Sequence, residues 1–356
     1  MQPAFLFRAA TSFLEARLSA KPDFKSSGAR ETVICPEEHE RLKPAIMLDG
    51  AGERMRNYMD AEYRARMTLS FAGGLARHAP TLAYTFTGGV LAAGSFLSHG
   101  FRYRIRPPRE AGLPKRVERL GRIALCASIT GDHYFGHSLN EDLPQMLLAP
   151  DFGEPARLST KNWPDLVAYR SLLDLDWREL DGAELAETTI FLDYAQNSSR
   201  KARFAEFRRR LRDKLTPEKR KGRFYLRRGD TGVARSPVND ADVCAAMERR
   251  GYDVFDVEGL NSTDFIKRIL ERSIMVSVEG SHMMHLAYTL RADGGALALM
   301  PPARPRCAIK DACDAIGAHF ATVVGHETEG GYTIDIGELN RTLDLLERKV
   351  DGLEAV

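Results

Sequence analysis

The sequence carries no glycine-rich phosphate loop of either standard kind, so any phosphate site must be built from side chains and ordinary turns. No apolar run is long enough to span a bilayer. Cysteines are few: Cys35, Cys126, Cys244, Cys307 and Cys313 are odd in number, scattered and without metal-ligand spacing. That pattern argues against a disulfide framework and a structural zinc, and it fits a reducing compartment. Excess charge is missing too. With 51 Lys and Arg against 49 Asp and Glu, the net charge of +2 argues against a dedicated nucleic-acid binder. Met1 to Lys21 makes no convincing secretory signal, because Arg8 interrupts a very short apolar run and Glu15 comes soon after. There is no internal repeat and no low-complexity tract. The chain reads as cytoplasmic.

What is present is ordinary globular composition, 44% hydrophobic and 28% charged. A length of 356 residues exceeds what one core usually covers, so two domains are the default. Phe5, Leu6, Ala9, Phe13, Leu14 and Leu18 share one face of an opening helix. That face packs on the body or, as a second use, lies on a membrane surface, which would make the protein peripheral to the inner membrane. Residues 81–106 read as a meander, with strands at 82–86, 88–91 and 101–105 separated by glycine turns and closed by Pro107-Pro108. A buried strand over 123–129 runs into Gly131-Asp132-His133-Tyr134-Phe135-Gly136-His137, and Leu139, Leu143, Met146 and Leu147 then mark a helix. A very basic helix from Ser199 is broken at Thr216-Pro217.

The domain boundary is placed at that break, giving an N-terminal domain of 1–215, a C-terminal domain of 216–335 and a terminal helix from 336 to 356. In the second half, strands at 224–226, 252–257, 274–278 and 296–300 alternate with single helices, the pattern of a doubly wound parallel sheet. Ile336, Leu339, Leu343, Leu346, Val350 and Leu353 recur three and four apart, so the terminal helix is amphipathic and is expected to pack across the boundary on the first domain.

Three places gather chemistry. The strand 274–278 ends in Glu279-Gly280-Ser281-His282, with His285 close behind, and Ser281 is a good cap for the next helix. Carboxylate, hydroxyl and imidazoles then stand at the carboxyl end of a parallel strand, where α/β proteins bind ligands, beside a helix N-terminus that attracts anions. The plain alternative is a βα turn with solvated histidines. Arg227, Arg228 and Arg235 flank Gly229-Asp230-Thr231-Gly232, a loop able to close bidentate, permanently charged donors over a diphosphate, or else a solvated hairpin. His137 and Glu141 lie four apart at a helix start, a spacing that lets the carboxylate orient the imidazole and raise its basicity. A cap with a surface ion pair is the commoner use. Asp174-Leu175-Asp176 and Asp240-Ala241-Asp242 resemble metal-holding acidic pairs but read as decoys, the second as a helix start.

In order, Tyr134-Phe135-Gly136-His137-Ser138-Leu139-Asn140-Glu141-Asp142-Leu143-Pro144, then Phe224-Tyr225-Leu226-Arg227-Arg228 with Arg235-Ser236-Pro237-Val238-Asn239-Asp240, then Val278-Glu279-Gly280-Ser281-His282-Met283-Met284-His285 resemble glycosyltransferase family 61. The resemblance covers about residues 81–346. It implies a GT-B fold, two Rossmann-like domains facing across a cleft. It also implies an inverting mechanism, no bound metal, and a nucleotide-sugar donor held mainly by the C-terminal domain. His137 and Glu141 fall on the acceptor-side motif, Arg227, Arg235 and Asn239 on the arginine-asparagine motif, and Gly280 on the glycine of the turn. Three positions depart from the family pattern: Ser138 replaces an aromatic, Glu279 a histidine and His285 an asparagine.

The resulting expectation is an inverting hexosyl- or pentosyltransferase of bacterial capsule or exopolysaccharide synthesis. His137 is its base, supported by Glu141 and with Asp132 in reserve. The donor-binding residues are Arg227, Arg228, Arg235, Asn239, Glu279, Gly280, Ser281, His282 and His285. No cofactor or metal is expected; the donor is a nucleotide-sugar, a UDP-sugar foremost, and the acceptor a glycan or lipid-linked glycan. The competing reading is an inactive protein of the same fold that binds glycan or a partner transferase. A weaker one takes the basic 201–235 segment as a contact for RNA or an anionic membrane.

Overall fold

The computed structural model describes residues 3–19, 23–107, 110–158, 163–218, 222–228, 235–257 and 259–352. Pro108, the Gly229-Asp230-Thr231-Gly232 segment and Leu353 lie outside them. The protein is mixed α/β, and the chain divides into two compact units, Met1–Glu38 with Ala79–Arg203 and His39–His78 with Phe204–Val356. This differs from the expected break near 215. The division falls inside a helix, and forty residues from the N-terminal part belong to the second unit.

The first unit is built on an eight-stranded sheet among the described residues. Its strands are β1 (Arg30–Cys35), β2 (Thr81–Ala92), β3 (Ser95–Ser98), β4 (Phe101–Arg104), β5 (Val117–Leu125), β6 (Glu154–Leu158), β7 (Arg178–Leu180) and β8 (Gly182–Leu192). Their order is β4-β3-β2-β8-β5-β6-β7, with β1 pairing onto β2. β8 is the turning point: it runs antiparallel to β2 and parallel to β5, so a meander and a parallel half share one sheet. The meander is present with other bounds: the expected strands 82–86 and 88–91 are one strand, β2, and β3 lies between it and β4, where no strand is expected. At Gly89 the Phe96 ring lies where a side chain would stand; a Cβ there would meet Phe96 Cε2 at 2.4 Å. Helix α1 (Pro3–Leu18) packs on the body with only part of its expected face, burying Phe5 and Ala9 against Val90 and Ala92, while Leu6, Leu14 and Leu18 of that face stay exposed.

The second unit holds a five-stranded, all-parallel sheet: β9 (Arg223–Leu226), β10 (Asp253–Phe255), β11 (Ile274–Val278), β12 (Gly295–Met300) and β13 (His319–Val324), in the order β10-β9-β11-β12-β13. Every residue of β11 and β12 is buried, which is why both read as unbroken apolar runs. From β9 the chain first turns outward to β10, then crosses back to β11. The switch point therefore lies between β9 and β11, where such sheets take ligands.

Helix α2 (Ser198–Lys214) bridges the division in sequence and is less of a basic patch than its composition suggests. Arg203 forks onto buried Asp193, Arg209 and Arg210 pair with Glu206, and Arg212 with Glu271. Helices α3 (Asp240–Arg249), α4 (Ser262–Ile269) and α5 (Ala308–Ile316) are crossovers. The terminal helix α6 (Ile336–Val350) is capped by Asp335, whose carboxylate accepts from the Glu338 amide at 2.7 Å. It is expected at the domain boundary, but Leu339, Leu343, Leu346 and Val350 pack instead into the core of its own unit, against Ile274, Val276, Leu297 and Val323. The nearest uncovered apolar surface is the β-branched face of that sheet, and each leucine buried there contributes about 1.5–3 kcal/mol.

Candidate active site

In the first unit the chemistry comes after β5. Ser128 caps the turn Ile129–His133, its hydroxyl accepting from the Gly131 amide at 2.9 Å. This places Asp132 inward, where Arg106 grips both carboxylate oxygens at 2.9 Å. With both carboxylate oxygens engaged by the guanidinium fork, Asp132 braces the turn.

The helical run after Phe135 contains one wide turn, in which the Leu143 amide reaches back five residues to the Ser138 carbonyl. Pro144 has no N–H to return to the Asn140 carbonyl. The buried guanidinium of Arg200 supplies that bond and a second to the Asp193 carbonyl. On this run His137 Nδ1 and Glu141 Oε1 are 2.6 Å apart, and Thr130 holds Glu141 Oε2 at 2.8 Å. The Glu141 hydrogen bond, against some desolvation, raises the His137 pKa above the usual imidazole value. The ring is 43% exposed, so it remains reachable. Behind it, Asp142 is fully buried between Ser128 (2.7 Å) and Arg157 (3.2 Å), and burial pushes its carboxyl up to about 7 against the pull of Arg157. Sequence reasoning passes over this pair, since Arg157 lies on a separate strand, β6, and no helical or strand spacing links it to Asp142.

In the second unit three neighbouring parallel strands open on one edge. Arg227 and Arg228 lie just past β9, Glu279 to His282 past β11, and Arg304 and Arg306 past β12. Arg228 lies against Gly280: a Cβ there would stand 2.2 Å from its Nη1, so glycine is what lets the guanidinium approach. Among the described residues its buried Nε and Nη1 have no hydrogen-bond partner. Arg235 reaches Glu279 Oε2 at 3.3 Å and the Glu279 carbonyl at 3.4 Å, while Tyr332 donates to the Arg235 carbonyl at 2.6 Å. Burial raises the Glu279 pKa, and Arg235, Arg304, Arg306 and Arg228 pull it back down. Arg304 and Arg306 escape sequence reasoning. The rule that singled out Glu279, polar residues just past a buried parallel strand, points to them equally.

Ser277 donates to the Leu226 carbonyl at 2.6 Å, so its oxygen is left to accept from His282 Nε2, also at 2.6 Å. Desolvation, with Arg228 nearby, pushes the His282 pKa down to about 3 and keeps the ring neutral. Its Nδ1 is then an acceptor at the turn.

Other expected donor residues are occupied differently. Arg227 turns to Asp240 Oδ2 at 2.8 Å, whose other oxygen accepts from Tyr225. Asn239 spends its amide on the Ile334 backbone, with both bonds at 2.9 Å. His285 is buried edge-on against Phe265, 4.9 Å between centroids. Ser281 caps nothing: the residue before the turn is extended Gly280, and the chain continues as a tight 3₁₀ turn (Ser281–His285) and a four-residue helix, too short for much dipole. Asp176 pairs with Arg170 at 2.8 Å, and no cluster of three or more His, Cys, Asp or Glu among the described residues could hold a metal ion. No helix among them is long and apolar enough to cross a membrane.

Residues 135–303 match the family model described as Glycosyltransferase 61. The matched stretch begins two residues before His137 and ends one residue short of Arg304. No curated protein matches the chain.

Proposed function

We propose that the protein, whose residues 135–303 match the model described as Glycosyltransferase 61, is a glycosyltransferase, an inverting one that moves a sugar from a nucleotide-sugar, a UDP-sugar foremost, to a hydroxyl of a glycan or lipid-linked glycan. The product belongs to bacterial surface polysaccharide, the fold to the GT-B class, and the reaction to the cytoplasmic side of the membrane. The observation that carries the reading is the arginine cluster around Glu279 and Gly280 at the switch point of the parallel sheet.

Each residue has its own part in the transfer. Glu141 accepts from His137 Nδ1–H, which fixes the tautomer and leaves Nε2 as the basic nitrogen. Nε2 takes the proton of the acceptor hydroxyl as that oxygen attacks the anomeric carbon. The bond from this carbon to the diphosphate oxygen breaks on the opposite face, inverting the configuration. Arg228 and Arg235 receive the charge that develops on the departing diphosphate, and His282, held neutral, offers Nδ1 to a donor hydroxyl. No step is routed through a metal. A panel of nucleotide-sugars with glycan acceptors, read by release of nucleoside diphosphate with and without chelator, tests it. No release with any donor would overturn transfer, and release abolished by chelator would overturn the metal-independent form.

A further inference from the structure

We propose that the outward side of helix α1 seats the protein on a lipid bilayer with anionic headgroups, the helix lying in the bilayer surface. The sequence offers packing on the body and membrane contact as alternative uses of one face. In the structure each use has its own side of the helix. The inference goes beyond the transfer reading and does not depend on it.

A helix turns about 100° per residue, so Phe5, Ala9 and Phe13 share one side of α1, and Phe7, Thr11, Leu14 and Leu18 share the opposite one. The first side meets the sheet. Phe5 and Ala9 are buried against Val90 and Ala92, and Phe13 packs beside them with the Arg102 guanidinium 5.0 Å from its ring centroid. The second side faces out: Phe7, Leu14 and Leu18 are 73%, 57% and 77% exposed. A helix that is apolar on both sides belongs in a core, yet this one lies on the surface. A row of large apolar side chains held in water marks a contact surface. Thr11 is the one polar side chain in the row. Its hydroxyl donates back to the helix, 2.9 Å from the Arg8 carbonyl and 3.1 Å from that of Phe7. A hydroxyl satisfied by its own helix needs no water, so the row can enter an apolar medium without an unmade hydrogen bond.

Charge decides what covers the row. The charged residues of α1 stand beside it, Arg8 and Glu15 on one flank and Arg17 on the other. Arg102, over Phe13, adds to the flank of Arg17, as does exposed Arg104, two residues along β4 and so on the same face of that strand. On the first flank Glu184 is shared by Arg8 and Arg119, at 3.3 and 3.2 Å. The rims are therefore rich in guanidinium. Anionic headgroups meet that charge while the apolar row sinks between them and the arginine stems lie along its edge. A second copy of the chain is the poorer occupant. A symmetric contact sets a patch against itself, and here it would bring arginines face to face.

The test is co-sedimentation of the full chain with vesicles, one set of phosphatidylglycerol and phosphatidylethanolamine in equal parts, the other of phosphatidylcholine alone. Wild type is expected to partition onto the anionic set about tenfold more strongly, a preference that high salt removes. Phe7→Gln and Leu18→Gln are each expected to lower partition by about tenfold, the loss of one large apolar side chain from the bilayer. Arg17→Gln is expected to lower it by about fivefold, and on the anionic set alone. All three positions are exposed, and unchanged melting temperatures establish that the variants are folded. Leu14→Gln serves in place of one that is not. In Phe7→Trp, emission is expected to move to shorter wavelength when anionic vesicles are added. Wild type left in the supernatant of both sets, equal partition onto the two, or glutamine variants that partition like wild type would overturn the proposal. So would a wild-type dimer, seen by analytical ultracentrifugation, that Phe7→Gln and Leu18→Gln convert to monomer.

Discussion

At His137 the chemistry turns on which ring nitrogen carries the proton. Glu141 claims Nδ1–H and raises the pKa, so the neutral ring presents Nε2 as a base only above that raised value. His137→Ala is expected to lower kcat by about 10²–10⁴ while donor affinity stays put. Removing the charge at Glu141 lowers the His137 pKa. Because the unprotonated ring is the active form, Glu141→Gln should move the acidic limb of the kcat–pH profile to lower pH, measured at saturating donor. A limb that stays in place would mean another group titrates. Asp132 gives a contrasting case: its fork with Arg106 predicts that Asp132→Asn loses stability before it loses any proton-transfer role.

Among the elements, the two site-bearing turns tolerate change differently. Gly280 is extended, at φ 167°, a conformation open to any residue, so alanine there costs the backbone little. Its methyl would displace the flexible end of Arg228. Gly280→Ala is therefore expected to leave the melting temperature nearly unchanged and to weaken pyrophosphate binding by about tenfold. Equal binding by the variant would show that Arg228 does not touch the anion. The wide turn at Ser138 behaves in the opposite way. Arg200 is wholly buried and answers the carbonyl that Pro144 leaves open. Arg200→Met should cost about 3–5 kcal/mol in a urea titration, the scale of a broken buried charge network.

Across the whole molecule, what the sequence disclosed depended on how local the signal was. The parallel sheet of the second unit was legible because β11 and β12 are continuous apolar runs with their polar residues gathered at the carboxyl ends. His137 with Glu141 was legible because a helical spacing brings them together. Asn239 and His285 were misleading, since only the fold shows one clamping the Ile334 backbone and the other facing Phe265. Arg304 and Arg306 were hidden by their distance in sequence from the other arginines, which strand order alone cancels. The terminal helix had the right pattern and an unexpected place. Leu343→Ala there should lower stability by about 2–5 kcal/mol, seen as an earlier denaturant midpoint, through the cavity it leaves above β11 to β13.

The excursion of residues 39–78 into the second unit has a consequence for how the protein is made. Ile46 is bonded through its amide to Phe320 at 2.9 Å and through its carbonyl to Thr322 at 3.0 Å, closing the outer edge of β13. On a ribosome this segment emerges early and must wait for nearly the whole remaining chain before its partner strand exists, a late and entropically slow closure. Until then β13 has nothing to cover it, and an open strand edge invites pairing between molecules. Nascent chains stalled or cleaved before that closure are thus the aggregation-prone species, and a fragment of 204–356 expressed alone would inherit the same bare edge.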